Sequence, residues 1–392
     1  MAWNHLSRKE GTMVGGRFLF VTWSGGGNTA PTYPIVRQLV SRGHEVTIAG
    51  QSAQSEAARA LGARFVPLGV PDWTTGKSLE DESDVFFELL FGPSVGAAVL
   101  ERIKQDPPDV IVVDCMLASA LAAAECSGIP SAAIVHVLYD QFVHGTMGGL
   151  WTAMMSMINA TRTGLGIPPV DSPEALLDPM NVVLVACPRE FDVAAPALPP
   201  NIRYVGAILD DPPPLGKNPW RSPGGEPRVL VAFSTTCQHQ EDLLLRVAAA
   251  LAGLPVQAVI TTGPAVDPAA IDAPPNVAVH RYIPHRALLP DCALVVTHAG
   301  LGAVMAALAH GVPLVCMPLG REQHDNAARV AACGAGTVLA ADAAVTEIRH
   351  TIQAMLGAPE YRAAATQMAA AIARENGREN AVKELETLAR AT

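Results

Sequence analysis

The segment Thr297-His298-Ala299-Gly300-Leu301-Gly302-Ala303 sets one imidazole and two glycines where an apolar run ends and a helix-forming run begins. The first amides of a helix have no internal partner and carry about half a positive charge, so a strand turning into a helix here offers an anion site. Glycine lets an anion come close to that backbone, and His298 at the strand end could donate a hydrogen bond to a phosphate oxygen. The alternative is a plain βα connection around a core histidine, since the pattern is not a G-x-G-x-x-G match. The seven cysteines are scattered without a C-x-x-C pair, and several lie in apolar runs such as Leu314-Val315-Cys316-Met317. That usage predicts buried, reduced thiols in a cytoplasmic protein.

The elements that must position this chemistry alternate along the whole chain. Arg17–Trp23 predicts a strand, Ser24–Asn28 a turn, 31–42 a helix and Glu45–Ala49 a second strand, which together make a βαβ unit. Further strands are expected at 64–67, 109–114, 131–137, 181–186 and 203–205, with helices at 55–61, 118–126 and around 151–161. The Pro/Gly-dense stretch from about 210 to 227 reads as a domain boundary. Beyond it come strands at 228–233, 256–261, 277–281, 293–297 and 313–317, helices at 241–252 and 303–310, and a tail helical throughout from Pro359 to Ala391.

The 392 residues are too many for one ordinary core and predict two domains. A composition of 49% hydrophobic and 16% charged residues suits buried parallel strands. The net charge of −10 argues against a nucleic-acid partner. No apolar run reaches the ~20 residues of a membrane span, and Met1–Gly15 lacks the apolar stretch of a signal peptide.

Residues 297–336, with Gly311-Val312-Pro313-Leu314, Pro318-Leu319-Gly320-Arg321-Glu322-Gln323 and Asp325-Asn326-Ala327, resemble the donor motif of the UDP/TDP-glycosyltransferase family. Phe233-Ser234-Thr235-Thr236 and Tyr282-Ile283-Pro284-His285 extend the resemblance over nearly the whole chain, which looks most similar to actinobacterial antibiotic glycosyltransferases using TDP-deoxysugars. The resemblance implies an α/β protein of the GT-B fold, two Rossmann-like domains facing across a cleft. It implies a flexible tail at 1–15, an acceptor-binding domain at 16–212, a linker at 213–225, a nucleotide-sugar domain at 226–372, and a C-terminal helix at 373–392 packing back on the first domain. Carried over from the family, His298, Gly300, Gly302 and Ala303 hold the diphosphate and Ser234 and Thr235 reach it from the facing loop. Tyr282 and Ile283 flank the base, and Glu322 with Gln323 binds sugar hydroxyls. The reaction implied is inverting transfer from a TDP-sugar co-substrate to an apolar small molecule, with no metal and no other cofactor.

Two departures from the family pattern bear on mechanism. Many relatives have a ribose-binding Glu where this chain has Ala306, which tilts the donor toward a deoxyribose nucleotide. The family's G-H-x-x-P, whose histidine deprotonates the acceptor, reads Gly27-Asn28-Thr29-Ala30-Pro31 here, while the aspartate that orients that histidine persists as Asp114. An amide cannot take a proton at neutral pH, and Asn28 would serve equally well as a helix N-cap. A general base is worth about 10²–10⁴ in rate. A phenol is about 5 pKa units more acidic than a group near water, roughly 7–8 kcal/mol. The leading expectation is therefore Asp114 as base on an acidic acceptor, with His136 or His144 as alternatives. Acceptor specificity is expected in loops at 70–91 and 139–163, where Trp73, Phe87, Phe142 and Trp151, with Phe86, Phe91, Met147 and Met154, suggest an apolar pocket joined by His136, with helix-core packing the equal alternative for some of them. Rival readings are a non-catalytic paralogue and a hydrolase or epimerase on the same fold. A homodimer is left open.

Overall fold

The computed structural model describes residues 15–72, 77, 82–192, 197–211, 219–220 and 224–391. Trp73 and most of the 213–225 linker lie outside the described residues. The first half runs β1 (Arg17–Val21), α1 (Thr29–Ser41), β2 (Glu45–Gly50), α2 (Ser55–Ala60), β3 (Arg64–Pro67), α3 (Ser83–Phe91) and α4 (Pro93–Gln105). It continues with β4 (Val110–Asp114), α5 (Ala118–Ser127), β5 (Ser131–Val135), α6 (Tyr139–Val143), α7 (Thr146–Gly164), β6 (Val182–Val185), α8 (Arg189–Asp192) and β7 (Ile202–Tyr204). The second half opens with β8 (Arg228–Ala232), α9 (Glu241–Leu251), β9 (Gln257–Thr261), β10 (Val277–His280), α10 (His285–Leu288), β11 (Leu294–Thr297) and α11 (Leu301–Ala309). It ends with β12 (Leu314–Cys316), α12 (Gln323–Ala332), β13 (Gly336–Val338), α13 (Val345–Gly357), α14 (Pro359–Glu375) and α15 (Gly377–Arg390).

Each half builds one parallel sheet, ordered β3-β2-β1-β4-β5-β6-β7 and β10-β9-β8-β11-β12-β13. The central strands are short, apolar and buried throughout, VIVVD in β4 and LVVT in β11, because helices cover both faces. The order in which strands are added reverses between β1 and β4 in one sheet and between β8 and β11 in the other. At such switch points the loops leave on opposite faces and open a crevice beyond the strands' carboxyl ends. Asn28 follows β1, Asp114 ends β4, Ser234 follows β8 and His298 follows β11, so all four stand at that crevice.

Three sequence expectations are corrected here. Segments 70–91 and 139–163 are not simply loops: α3, α6 and α7 lie within them, and the apolar residues there follow helical spacing. The C-terminal tail is not one helix. It breaks at Asn376, in the left-handed conformation at φ 41°. Of the cysteines, all free, Cys126 is exposed rather than buried.

The break at Asn376 divides the tail between the two halves. α14 packs on α11, while α15 packs on α1. Ala381, Val382 and Leu385 of α15 join the core of Phe18, Ile35 and Leu39. Around that seam Arg42 bonds Glu379 and Glu386, and His44 bonds Glu386 at 3.1 Å. Gly377 permits the close approach, since a Cβ there would meet the Gly206 carbonyl oxygen at 2.6 Å. Among the described residues no single helix is long and apolar enough to cross a membrane.

Candidate active site

The two sheets share a cavity of about 920 Å³. From the second half come Ser234, Thr235, Tyr282, His298, Gly300, Gly302, Ala303, Ala306, Glu322 and Gln323; from the first come Asn28, Phe87 and His136. The halves nearly touch at its mouth: a Cβ on Gly26 (φ 82°) would meet Thr235 Oγ1 at 2.8 Å.

On the second-domain side, α11 begins at Leu301 with Gly300 as N-cap and no side chain capping it, so its first amides face the cavity unshielded by a cap. Ala299 completes the turn at φ 67°. Burial pulls the His298 pKa down to about 4, the nearby Arg321 charge adding in the same direction while the Ala232 backbone opposes. His298 is thus a neutral imidazole with a single N–H. Positive charge comes instead from Arg321, which lines the cavity and donates to Thr236 Oγ1 at 3.3 Å. Of the four described non-glycine residues with positive φ, three (His239, Ala299 and Arg321) lie in loops that border this cavity, where backbone strain is held by surrounding bonds.

Ser234 Oγ accepts from Gln238 Nε2 at 2.6 Å and from the Thr236 amide at 3.1 Å, which fixes the loop facing His298. Gln323 is tied down: its Oε1 accepts from the Leu319 amide at 2.8 Å and its Nε2 donates to Gln238 at 2.8 Å. Tyr282, 74% exposed, lines the cavity. Ile283 does not line the cavity; it packs against the core, because neighbouring side chains on an extended segment point opposite ways.

On the first-domain side Asn28 is no N-cap by its side chain. Its Nδ2 donates to Asp114 Oδ2 at 2.8 Å and to the Trp23 carbonyl at 2.8 Å, and its Oδ1 accepts from the Gly25 amide at 3.1 Å. Asp114 is 4% exposed. Its Oδ1 accepts from the Met116 amide and from His136 Nε2, both at 3.0 Å. Asp114 as the base that meets the acceptor is therefore not what this geometry favours, because both oxygens are occupied and turned from solvent. His144 is exposed and bonds Asp140, away from Asp114. Asp114, Cys115 and His136 are the only His/Cys/Asp/Glu trio among the described residues close enough to grip an ion, and hydrogen bonds already fill the carboxylate.

The first-domain wall of the cavity is apolar but differs in membership from the expected acceptor pocket. Phe86, Phe87, Met116, Met147 and Leu150 line it. Phe142 and Trp151 are fully buried, their rings 5.3 Å apart with Phe91 edge-on to Trp151, and belong to the core between α3, α6 and α7. Met147 and Leu150 of α7 reach the cavity, while Trp151, although one turn on from Met147, is covered by Phe91 and Phe142. Sequence reasoning missed Arg321, Gln238, Met116 and Leu150, none of which carried a signal beyond its place near a motif.

Two facing parallel sheets with a cavity at both switch points make the GT-B fold, and the sequence relatives make the chain a glycosyltransferase. Residues 246–388 match the family described as erythromycin biosynthesis protein CIII-like, C-terminal domain. It is 29% identical to 4'-demethylrebeccamycin synthase of Lentzea aerocolonigenes, over 91% of this chain and 95% of that protein. It is 27% identical to oleandomycin glycosyltransferase of Streptomyces antibioticus, over 92% and 88%. Among solved structures, the calicheamicin glycosyltransferase CalG4 superposes with a TM-score of 0.78 at 24% identity, covering 96% of this chain and 98% of that one. The glycosyltransferase VinC in complex with DTDP gives 0.73 at 20% identity, covering 96% and 100%.

Proposed function

We propose that the protein transfers a deoxysugar from a TDP-sugar, with inversion, to an apolar natural-product aglycone at an acidic or aromatic hydroxyl, in the cytoplasm and without a metal ion. One observation carries the reading: a single cavity joins the anion-binding turn at His298–Ala303 to an apolar wall of Phe86, Phe87, Met147 and Leu150. The diphosphate rests on the α11 amides with His298 and Arg321, Ser234 and Thr235 meet it from the facing loop, and the base stacks on Tyr282. Glu322 takes sugar hydroxyls, with Gln323 holding its loop. The acceptor atom attacks the anomeric carbon from the opposite side as the nucleotide leaves, so fixed donors supply the charge stabilisation a metal would otherwise give. Ala306, apolar at the place where relatives bind a 2′-hydroxyl, favours the thymidine nucleotide. The solved relative carrying DTDP and the antibiotic names of the relatives in sequence support donor and acceptor class.

Calorimetry with TDP and UDP tests the donor: TDP binds as well as or better than UDP, and a clear UDP preference defeats the deoxyribose argument. Incubation with TDP-glucose and an aglycone, with the product's anomeric proton read by NMR, tests transfer and inversion. TDP release without any acceptor product would instead mark a hydrolase, and no release at all a binding paralogue.

A further inference from the structure

Asn28 stands where the family's base belongs, yet Asp114 is still built as if to hold a histidine. One oxygen of its carboxylate takes the Asn28 amide, and the other takes the ring of His136, which follows β5, the strand beside β4. The His136 side chain is 10% exposed, and that exposure opens into the shared cavity beside Met116 and Val137. Because a carboxylate only accepts, Nε2 carries the proton in the pair, which leaves Nδ1 as the unprotonated nitrogen of the neutral ring.

We propose that His136 is the general base of this enzyme, held in its tautomer by Asp114, with Asn28 as the amide that locks the carboxylate in place. This rests on the reading of the cavity as a sugar-transfer site. The acceptor's O–H bond breaks toward His136 Nδ1 while its oxygen bonds the anomeric carbon. The bond from that carbon to the diphosphate breaks, and the nucleotide leaves with the electron pair. The dyad survives the loss of histidine at position 28 because the ends of β1 and β5 flank the end of β4 on either side.

The titratable groups facing the ring are Asp114 and Cys115, both from the end of β4. Burial works against charge on His136, but the Asp114 carboxylate, with Cys115 contributing, lifts its pKa well above the usual histidine value. Cys115 remains a neutral thiol, since burial raises its own pKa. The base is therefore free only on the alkaline side, and turnover rises with pH through a limb that does not move with acceptor acidity.

The test compares wild type, His136→Gln and His136→Ala on a series of substituted 7-hydroxycoumarins and a matched primary alcohol. TDP affinity is measured alongside as the check on folding. His136→Gln should lower kcat on the alcohol by about 10² or more and leave TDP affinity within about twofold. It should abolish the acceptor-independent alkaline limb and steepen the dependence of rate on coumarin pKa. Asn28→His in the His136→Gln background should return at least about tenfold, the carboxylate regaining a histidine from the other side. A wild-type kcat and pH limb in both single variants overturns the proposal, as does loss of TDP binding together with turnover, which would make His136 structural. Activity removed by chelation and restored by zinc would make the trio a metal site and overturn it too. A wild-type protein that transfers to none of the acceptors defeats the transfer reading itself, a different failure from wild-type transfer that is indifferent to His136.

Discussion

At the scale of single residues, the proposed diphosphate site divides one task between two side chains. His298 is neutral, with its pKa held near 4, so it contributes a dipole, while Arg321 contributes the full charge. His298→Ala should lower kcat by at least ~10², the scale of losing one preorganised donor. TDP should still bind, more weakly. Arg321→Ala should act first on ground-state affinity, weakening TDP about tenfold or more, as expected for a charge-assisted hydrogen bond of ~1.5–3 kcal/mol. The loss should shrink in high salt because the cavity is open to water. Calorimetry at two ionic strengths measures it, and equal TDP affinity in Arg321→Ala at low salt refutes the division. On the acceptor side Asp114→Asn removes the group that orients His136 and should cost more than Asn28→Ala, which removes only a lock. Steady-state kinetics on one acceptor ranks the two.

At the scale of elements, the informative feature is the hinge between α14 and α15. Asn376 at φ 41° pays for one left-handed residue and thereby sends α15 to the first domain while α14 stays on the second. Asn376→Gly should be neutral or slightly stabilising, because glycine carries no Cβ penalty at positive φ. Asn376→Val should cost about 1–2 kcal/mol, the price scale of a left-handed branched residue. Denaturant midpoints measure both. Retained stability in Asn376→Val would mean that the tail has straightened and left α1, a change visible as loss of protection in α15 by hydrogen exchange. The helices α3, α6 and α7 make the same point about packing: Phe142 and Trp151 turn inward while Phe86, Phe87 and Met147 on nearby turns line the cavity.

At the scale of the whole molecule, buried histidines should set how stability follows pH. His285 and His298 both have pKa values near 4 from burial, against about 6.5 in the unfolded chain. Between those values the unfolded chain binds protons that the folded chain does not, so stability falls on acidification from pH ~6.5 toward 4. His136 works the other way: its folded pKa is raised, so its contribution is fully present below pH ~6.5 and is lost as pH climbs through the raised value. A maximum near neutrality follows. Urea midpoints from pH 4.5 to 9 should show it, with the alkaline decline flattened in His136→Gln. An unchanged alkaline decline in that variant would show that His136 is not charged in the folded state.

The sequence by itself determined the alternation of strands and helices and the strand-to-helix turn at Gly300, because both are local: a strand that turns over Gly300 into α11 is written in contiguous residues. It also determined that something is unusual at Asn28, since only the residue type was needed. Partnership across the sheet was decided by the tertiary structure. Nothing in the spacing of Asp114 and His136 says that β4 and β5 lie side by side and bring the two to 3.0 Å. Nor does helical periodicity say which of Phe87, Phe142 and Trp151 meets solvent, because a helix between a core and a cavity is apolar on both stripes. Sequence fixes the face a residue shares with its neighbours, and only packing decides what that face is pressed against.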